Sequence, residues 1–397
     1  MRILVGITGG IAAYKSATLV RNLSELGHDV KVLPTQNALR FIGAATLEAL
    51  SHNSIDPDLY TQVADVKHIA LAQEAELIIV APATAAFIAR YASGIADDLL
   101  LNVLLATKAR VVIAPAMHSE MWLHPATVEN VAKLRGRGVL VIEPEVGRLT
   151  GSDSGVGRMA DPEHILNVAL AAKASGSDLV GLKFVVAAGG TREPIDDVRF
   201  IGNRSSGKQG IALAVECLAR GAEVTLISSN IELPLPSGFR VIQAPTAADV
   251  QKSLESLGEV DAILLPVAIS DYRIPTPFSG KMHRDENPNP VLELTSNPDL
   301  LLGLSTKKGS SSNPVIVGFA AEIAGNSEKL EEIARIKFGR KGCDLLVAND
   351  VSNGAVFGSD SNEVLIISKD QTLSASGTKQ EVAKAVIDQV SARLSRN

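Results

Sequence analysis

Apolar runs in this chain are short, and most end in glycine or small polar residues before apolar positions resume at helical spacing. Arg2 to Ile7 is such a run; Gly9-Gly10 is its turn, and Ile11 to Leu26 is the helix that follows, closed by Gly27. Asp29 to Leu33, Glu76 to Ala81 and Val111 to Ala114 read as further buried strands. Almost halfway along, the pattern restarts. Lys183 to Ala188 is a strand and Gly189-Gly190 a turn, and Ser205-Ser206-Gly207 opens a helix with bare backbone N–H groups that continues from Gly210 to Arg220. Ala222 to Ser228 and Asp261 to Val267 follow as strands and Val315 to Glu322 as a strand and turn, with Ala247 to Leu257 as a helix among them. This alternation predicts the α/β class, with two Rossmann-like, doubly wound parallel-sheet domains. Ala171 to Leu182, AAKASGSDLVGL, is a brief boundary between them, which divides the chain into 1–178 and 179–397.

Composition narrows the function. At 397 residues the chain has room for about two or three domains. Only 4% of residues are aromatic and the formal charge is −6, which argues against stacking platforms for single strands and against a nucleic-acid footprint. No apolar run reaches the roughly 20 residues of a membrane span, and MRILVGITGG reads as a first strand, not a signal peptide. Cys217 and Cys343 are the only cysteines, each inside an apolar helix or strand pattern; this fits a reducing cytoplasm and no metal cluster.

Candidate chemistry gathers where strands end. A strand, a Gly-Gly turn and a helix make a phosphate cradle, although such a turn is equally often only a turn. The spacing of Gly6, Gly9 and Gly10 is not the dinucleotide fingerprint, and Thr35-Gln36-Asn37 stands where an acid would grip an adenosine ribose; both count against a pyridine-nucleotide oxidoreductase. APAT (Ala81 to Thr84), GIADD (Gly94 to Asp98) and PAMHSEMW (Pro115 to Trp122) offer small or amide-like groups against which a flat ring could lie, and His68 begins a helical run. In the second half GNRSSGKQ nearly spells a phosphate loop, but Gln209 occupies the position of the hydroxyl that would hold Mg²⁺. Asp271, Arg273 and Lys281 follow a strand and precede prolines, as in a nucleotide-binding loop or a solvated one. Lys337 and Lys341, four apart, share a helical face that meets either a polyphosphate or solvent.

GITGGIAAYKS, HIALAQEAELIIVAPATAAFIARYASGIADDLL, PAMHSEMW and GSDSGVGRM together resemble the homo-oligomeric flavin-containing cysteine decarboxylases, in particular phosphopantothenoylcysteine decarboxylase, over nearly all of residues 1 to 170. The resemblance implies FMN, with contacts at Gly10, Ile11, Thr35, Asn37, Ala83, Thr84 and Ala116, and a catalytic His68. A cysteine carboxylate has no electron sink; oxidation of CH₂–SH to a thioaldehyde supplies one, and a histidine of near-neutral pKa can take the thiol proton. Two positions depart from the family: His118 stands in place of asparagine, and Thr150-Gly151-Ser152 in place of the flap's A-C-G. His118 then becomes the expected donor of the final proton, ahead of a water held by Ser152 or Asp153. The alternatives are a reaction that stops at the enethiol and an FMN-binding regulatory protein.

AAGGTREPIDDVRFIGNRSSGKQG, SDYR with Lys281, NPDLL, GFAAE, LLVAND and FGSDSNEV resemble phosphopantothenate-cysteine ligase from residue 183 to about 395. The resemblance implies a CTP site at Leu265, Pro266, Val267, Asp271, Lys281, Pro298, Asp299, Leu300, Leu301, Phe319, Lys337 and Lys341, with Mg²⁺ at ligands it does not specify. Catalytic roles fall to Asn203 at the activated acyl group and Lys281 at the phosphates. The family's K-I-K-K reads Lys281-Met282-His283-Arg284 here. A decarboxylase followed by a ligase is the order of the bifunctional enzymes of coenzyme A synthesis. Its implied substrates are 4'-phosphopantothenate, L-cysteine and CTP, and its implied assembly is a cytoplasmic dodecamer of decarboxylase trimers joined through ligase dimers.

Overall fold

The computed structural model describes residues 1–55, 67–148, 154–233, 235, 238–283, 290–352 and 359–395. Two compact units divide them, Met1–Ser177 and Asp178–Leu235 with Phe239–Asn397.

The first unit runs β1 (Arg2–Ile7), α1 (Ala13–Glu25), β2 (Asp29–Pro34), α2 (Ala44–Ser51), α3 (Lys67–Glu74), β3 (Leu77–Ala83), α4 (Ala85–Ser93), α5 (Leu99–Ala106), β4 (Arg110–Pro115), α6 (Ser119–Trp122), α7 (Pro125–Gly136), β5 (Leu140–Val141), β6 (Glu145–Arg148), β7 (Ser154–Arg158) and α8 (Pro162–Ser175). Its main sheet has the order β2-β1-β3-β4-β5, and every pairing is parallel. Ile78, Ile79 and Val80 on β3 are fully buried, as expected for a strand covered on both faces. The order reverses between β1 and β3, and open α/β sheets bind ligands outside strand carboxyl ends at such a point.

The second unit continues with β8 (Lys183–Gly189), β9 (Arg192–Pro194), β10 (Phe200–Gly202), α9 (Lys208–Ala219), β11 (Glu223–Ser229), β12 (Arg240–Gln243), α10 (Ala247–Glu255), β13 (Ala262–Leu265), β14 (Tyr272–Arg273), β15 (Thr295–Ser296), α11 (Leu300–Lys308), β16 (Val315–Glu322), α12 (Ser327–Lys341), β17 (Leu345–Asp350), β18 (Ser361–Ile367), β19 (Thr372–Thr378) and α13 (Lys379–Leu394). The sheet order is β12-β11-β8-β13-β16-β17-β18-β19. Pairing is parallel as far as β17; β18 and β19 then add an antiparallel edge that the expectation of a purely parallel sheet lacked. The reversal point lies between β8 and β13, beside Gly189-Gly190. Arg220 is buried at the end of α9, bonded to Asp178 and, at 2.6 Å, to Asp388 on α13.

Several boundaries differ from expectation. The helix after Gly10 begins at Ala13, because Ile11 remains in the turn and 59% exposed. β3 runs through Ala83, so most of APAT belongs to the strand. Cys217 is buried in α9 as expected, whereas Cys343 lies in the turn between α12 and β17, buried but outside any element.

Candidate functional site

In the first unit the carboxyl ends of four parallel strands converge. Thr35 N–H donates to Ile7 O (2.9 Å), Thr8 Oγ1 donates to Pro82 O (2.8 Å), Thr84 N–H donates to Thr8 Oγ1 (3.0 Å), and Ala116 N–H donates to Ala83 O (3.1 Å). These bonds tie the ends of β1 to β2, β1 to β3 and β3 to β4, and so bring Gly10, Ile11, Thr35, Asn37, Thr84 and Ala116 to one rim. A Cβ on Gly9 would lie 2.4 Å from Asn37 Cβ, so only glycine lets the β1 turn reach this segment. Ala83 is wholly buried and its carbonyl is engaged by Ala116, which limits what it can offer a ligand.

His68 occupies the first turn of α3, half-buried, at the end of that helix remote from the start of β3. Asp98 caps α5 through Leu101 N–H (2.8 Å); burial pushes its carboxyl up, against the pull of that bond and of Arg90. Arg90 pairs with Asp97 at 3.0 Å.

Exposed His118 precedes α6, and its carbonyl accepts from Met121 and Trp122 N–H. The chain on both sides of it is clamped by β7. Met117 N–H donates to Gly157 O (3.0 Å) and Ser119 Oγ donates to Val156 O (2.7 Å). Lys15 on α1 holds the residue after β7, from Nζ to Met159 O (3.0 Å); burial lowers its pKa, as does nearby Arg158, while Glu145 and Asp161 oppose them. Glycines permit the clamp: a Cβ on Gly157 would fall 2.0 Å from Met117 O, and one on Gly155 2.2 Å from Ser119 Oγ. Sequence reasoning passed over this clamp, whose only signal is the alternating glycines of SGVGR. Thr150, Gly151, Ser152 and Asp153 lie outside the described residues.

The second unit repeats the arrangement. Gly189 (φ 96°) ends β8, and a Cβ there would lie 1.9 Å from Ser229 O. Ala268 N–H donates to Gly189 O (2.8 Å), Thr191 N–H to Ala268 O (3.1 Å), and Asn203 Nδ2 to Ile269 O (2.9 Å), so Asn203 stands over the β8–β13 reversal point. Two of the amides at this helix start are not bare. Ser205 Oγ accepts from Gly207 N–H (3.3 Å) and Ser206 Oγ from Lys208 N–H (3.5 Å), because serine hydroxyls compete for helix-start donors. Gln209 settles the near miss to a phosphate loop: its side-chain amide donates to Lys379 O (3.2 Å) and accepts from Asn362 (3.4 Å), so it joins α9 to the antiparallel edge.

Leu265 and Val267 are buried at the end of β13, and Pro266 lies between them, half-buried. Asp271 and Lys281 are exposed in the loop that follows, while Arg273 donates to Ser296 O (3.1 Å). Pro298 leads into α11, where Asp299 is the cap (Leu302 N–H, 3.1 Å), Leu300 is buried and Leu301 packs beside Gly318, the neighbour of Phe319 on β16. Lys341 reaches back to Asp299, and Lys337 pairs with Glu322 at the end of β16 (2.6 Å). Burial alone would raise the Asp299 carboxyl, but Lys341, the Leu302 N–H and nearby Arg340 hold it below the usual range. The two lysines therefore share a face, as expected, and each already has a carboxylate. Arg284 lies outside the described residues.

Residues 1–173 match the family described as Flavoprotein, and residues 179–394 match the DNA/pantothenate metabolism flavoprotein C-terminal domain. The coenzyme A biosynthesis bifunctional protein CoaBC of Mycobacterium bovis is 46% identical over 400 residues, which cover 98% of this chain and 96% of that protein. The protein of the same name from Escherichia coli K12 is 39% identical over 375 residues, covering 93% and 91%. Among solved structures, the C-terminal domain of a coenzyme A biosynthesis bifunctional protein CoaBC aligns at 31% identity with a TM-score of 0.46, over 56% of this chain and 100% of that one. No helix among the described residues is long and apolar enough to cross a membrane. The chain belongs to the family of bifunctional coenzyme A biosynthesis enzymes, in which a flavoprotein decarboxylase domain precedes a ligase domain.

Proposed function

We propose that the second unit couples 4'-phosphopantothenate to L-cysteine with CTP, and that the first decarboxylates the resulting 4'-phosphopantothenoylcysteine to 4'-phosphopantetheine with FMN. The observation that supports this reading is that the strand carboxyl ends of each unit carry polar groups of the required kind, Thr35 and Thr84 in the first and Asn203, bonded to Ile269 O, in the second.

The first unit suits FMN because its Gly9-Gly10 turn packs directly against Asn37 and beside Thr84, which with Thr35 put polar groups at the strand ends. Gly10, Ile11, Thr35, Asn37, Thr84 and Ala116, with the Ala83 backbone, would hold it, and bound FMN supplies the oxidation that turns the cysteinyl CH₂–SH into an electron sink. His68 takes the thiol proton. His118 bonds the substrate carboxylate and returns the final proton.

In the second unit the substrate carboxylate attacks the α-phosphate of CTP, pyrophosphate leaves, and the amine of cysteine opens the acyl-cytidylate. Lys281 steadies charge on the phosphates and Asn203 holds the acyl oxygens. Asp271, Pro298 to Leu301, Phe319 and the backbone of Leu265, Pro266 and Val267 surround the nucleotide, with Lys337 and Lys341 on its phosphates. Mg²⁺ would accompany the nucleotide, held largely through its phosphates. The enzyme works in the cytoplasm as a dodecamer of decarboxylase trimers and ligase dimers.

The test is division of labour within one protein. His68→Asn should abolish CO₂ release and leave CTP-driven pyrophosphate release intact, and Lys281→Gln should do the reverse. A folded variant that loses both reactions would show that the two sites are not separate.

A further inference from the structure

Lys281 is exposed, yet the backbone on either side of it is held from one place, the Ile195–Arg199 turn at the tip of the β9–β10 hairpin. Gly280 N–H donates to Asp197 Oδ2 (3.0 Å), Asp197 N–H donates to Gly280 O (3.3 Å), and Phe278 N–H donates to Ile195 O (2.9 Å). Met282 N–H donates to Asp196 Oδ2 (3.1 Å), while both terminal nitrogens of Arg199 donate to Met282 O (3.3 Å each).

Asp196 organises this junction. Its side chain is fully buried; Oδ1 accepts from Val198 N–H (2.8 Å) and Arg199 N–H (2.7 Å), and Oδ2 accepts from Met282 N–H and the Arg199 guanidinium. Four donors meet two oxygens, a task for an ionised carboxylate, which offers acceptors only. Burial alone would raise its pKa, but the Val198, Met282 and Arg199 N–H groups and the Arg199 charge outweigh that and hold it at about 2. The same hairpin closes with Gly202 opposite Arg192, and Asn203 follows directly. Its tip thus fixes Lys281 and its end fixes Asn203.

We infer that Asp196 is a positioning residue for the ligase reaction, holding the Gly280–Met282 backbone so that the Lys281 ammonium faces the nucleotide phosphates at a set distance from Asn203. The inference rests on the assignment of Lys281 to the nucleotide made above. Asparagine cannot substitute, because either orientation of its amide turns an NH₂ toward two donors.

The experiment is a double-variant cycle in the full-length protein. CTP affinity in the presence of Mg²⁺ is read by calorimetry and pyrophosphate release by rate, with CO₂ release as the control. Asp196→Asn should weaken CTP binding and pyrophosphate release by about 10- to 100-fold, the scale of a displacement near 1 Å, with CO₂ release unchanged. In a Lys281→Gln background the same change should alter CTP affinity by less than about twofold, because the residue acts through Lys281. Losses that multiply would mark Asp196 as merely structural and overturn the inference, as would an Asp196→Asn protein with native affinity. If Asp196→Asn does not fold, Asp197→Ala removes only the side-chain bond to Gly280 and should show a smaller loss that likewise vanishes in the Lys281→Gln background; native affinity there would overturn the proposal. Should Lys281→Gln itself leave CTP affinity unchanged, the assignment of Lys281 fails first and the inference falls with it.

Discussion

Gly157→Ala tests whether β7 sets the position of His118. The added Cβ would sit 2.0 Å from Met117 O, whereas real Cβ contacts essentially never fall below 3.0 Å, so strand and loop must part by about 1 Å. That movement breaks the Met117–Gly157 and Ser119–Val156 hydrogen bonds, each of net worth about 1 kcal/mol. Gly157 also has φ 149°, and an L side chain held in so rarely adopted a conformation adds roughly 1–3 kcal/mol. The total, about 3–5 kcal/mol, leaves a typical domain folded but displaces His118 by a distance that can lower a rate by about 100-fold. Gly155→Ala is the matched comparison: its Cβ would meet Ser119 Oγ at 2.2 Å, which can rotate away at the loss of one bond, about 1 kcal/mol, and Ser119 Cβ at 3.3 Å, which needs a shift of only a few tenths of an ångström. Both variants are assayed for CO₂ release and for CTP-dependent pyrophosphate release, with thermal unfolding alongside. Gly157→Ala should lose about 100-fold in CO₂ release and Gly155→Ala less than about tenfold, with pyrophosphate release unchanged in both. Native CO₂ release from Gly157→Ala, or equal losses from the two, would refute the clamp.

Two further outcomes follow from the second unit. Gln209→Ser completes the letters of a phosphate loop but removes the ties to Lys379 and Asn362, so denaturant unfolding should show a loss of about 1 kcal/mol and nucleotide KM should not improve. Arg220→Ala leaves buried Glu216 and the partly exposed Asp178 and Asp388 without their shared cation, which should cost about 1–3 kcal/mol and appear as a lowered Tm of this unit with native CO₂ release.

Much of the scaffold was legible because parallel strands buried on both faces are continuous apolar runs. Arg2 to Ile7 was read residue for residue, and Gly9-Gly10 and Gly189-Gly190 marked both reversal points. The antiparallel edge was not, since β19, TLSASGT, has a sparse apolar alternation that no local rule separates from a loop. Local pattern also fails where a partner lies far away in sequence. Gln209 meets Lys379, and Asp196 meets Met282, through backbone groups that any residue carries. Gly157 stood in plain view, but its reason for being glycine lies in Met117 O, placed against it only by folding. The serines before Lys208 were recognised as a helix start, whereas their hydroxyls' capture of the first amides depends on rotamers that sequence does not display.

The pairing of Lys337 with Glu322 and of Lys341 with Asp299 makes the second unit, in its resting form, an ion exchanger. A polyphosphate that took Lys337 and Lys341 would have to displace carboxylates that already serve as their counter-ions. The far field of the lysines is largely cancelled at the Debye length of roughly 8 Å in physiological salt, so nucleic acids and other stray polyanions gain little from passing nearby. Selection is thereby deferred to close range, where a ligand has to outcompete two built-in acids and satisfy the surrounding loop together.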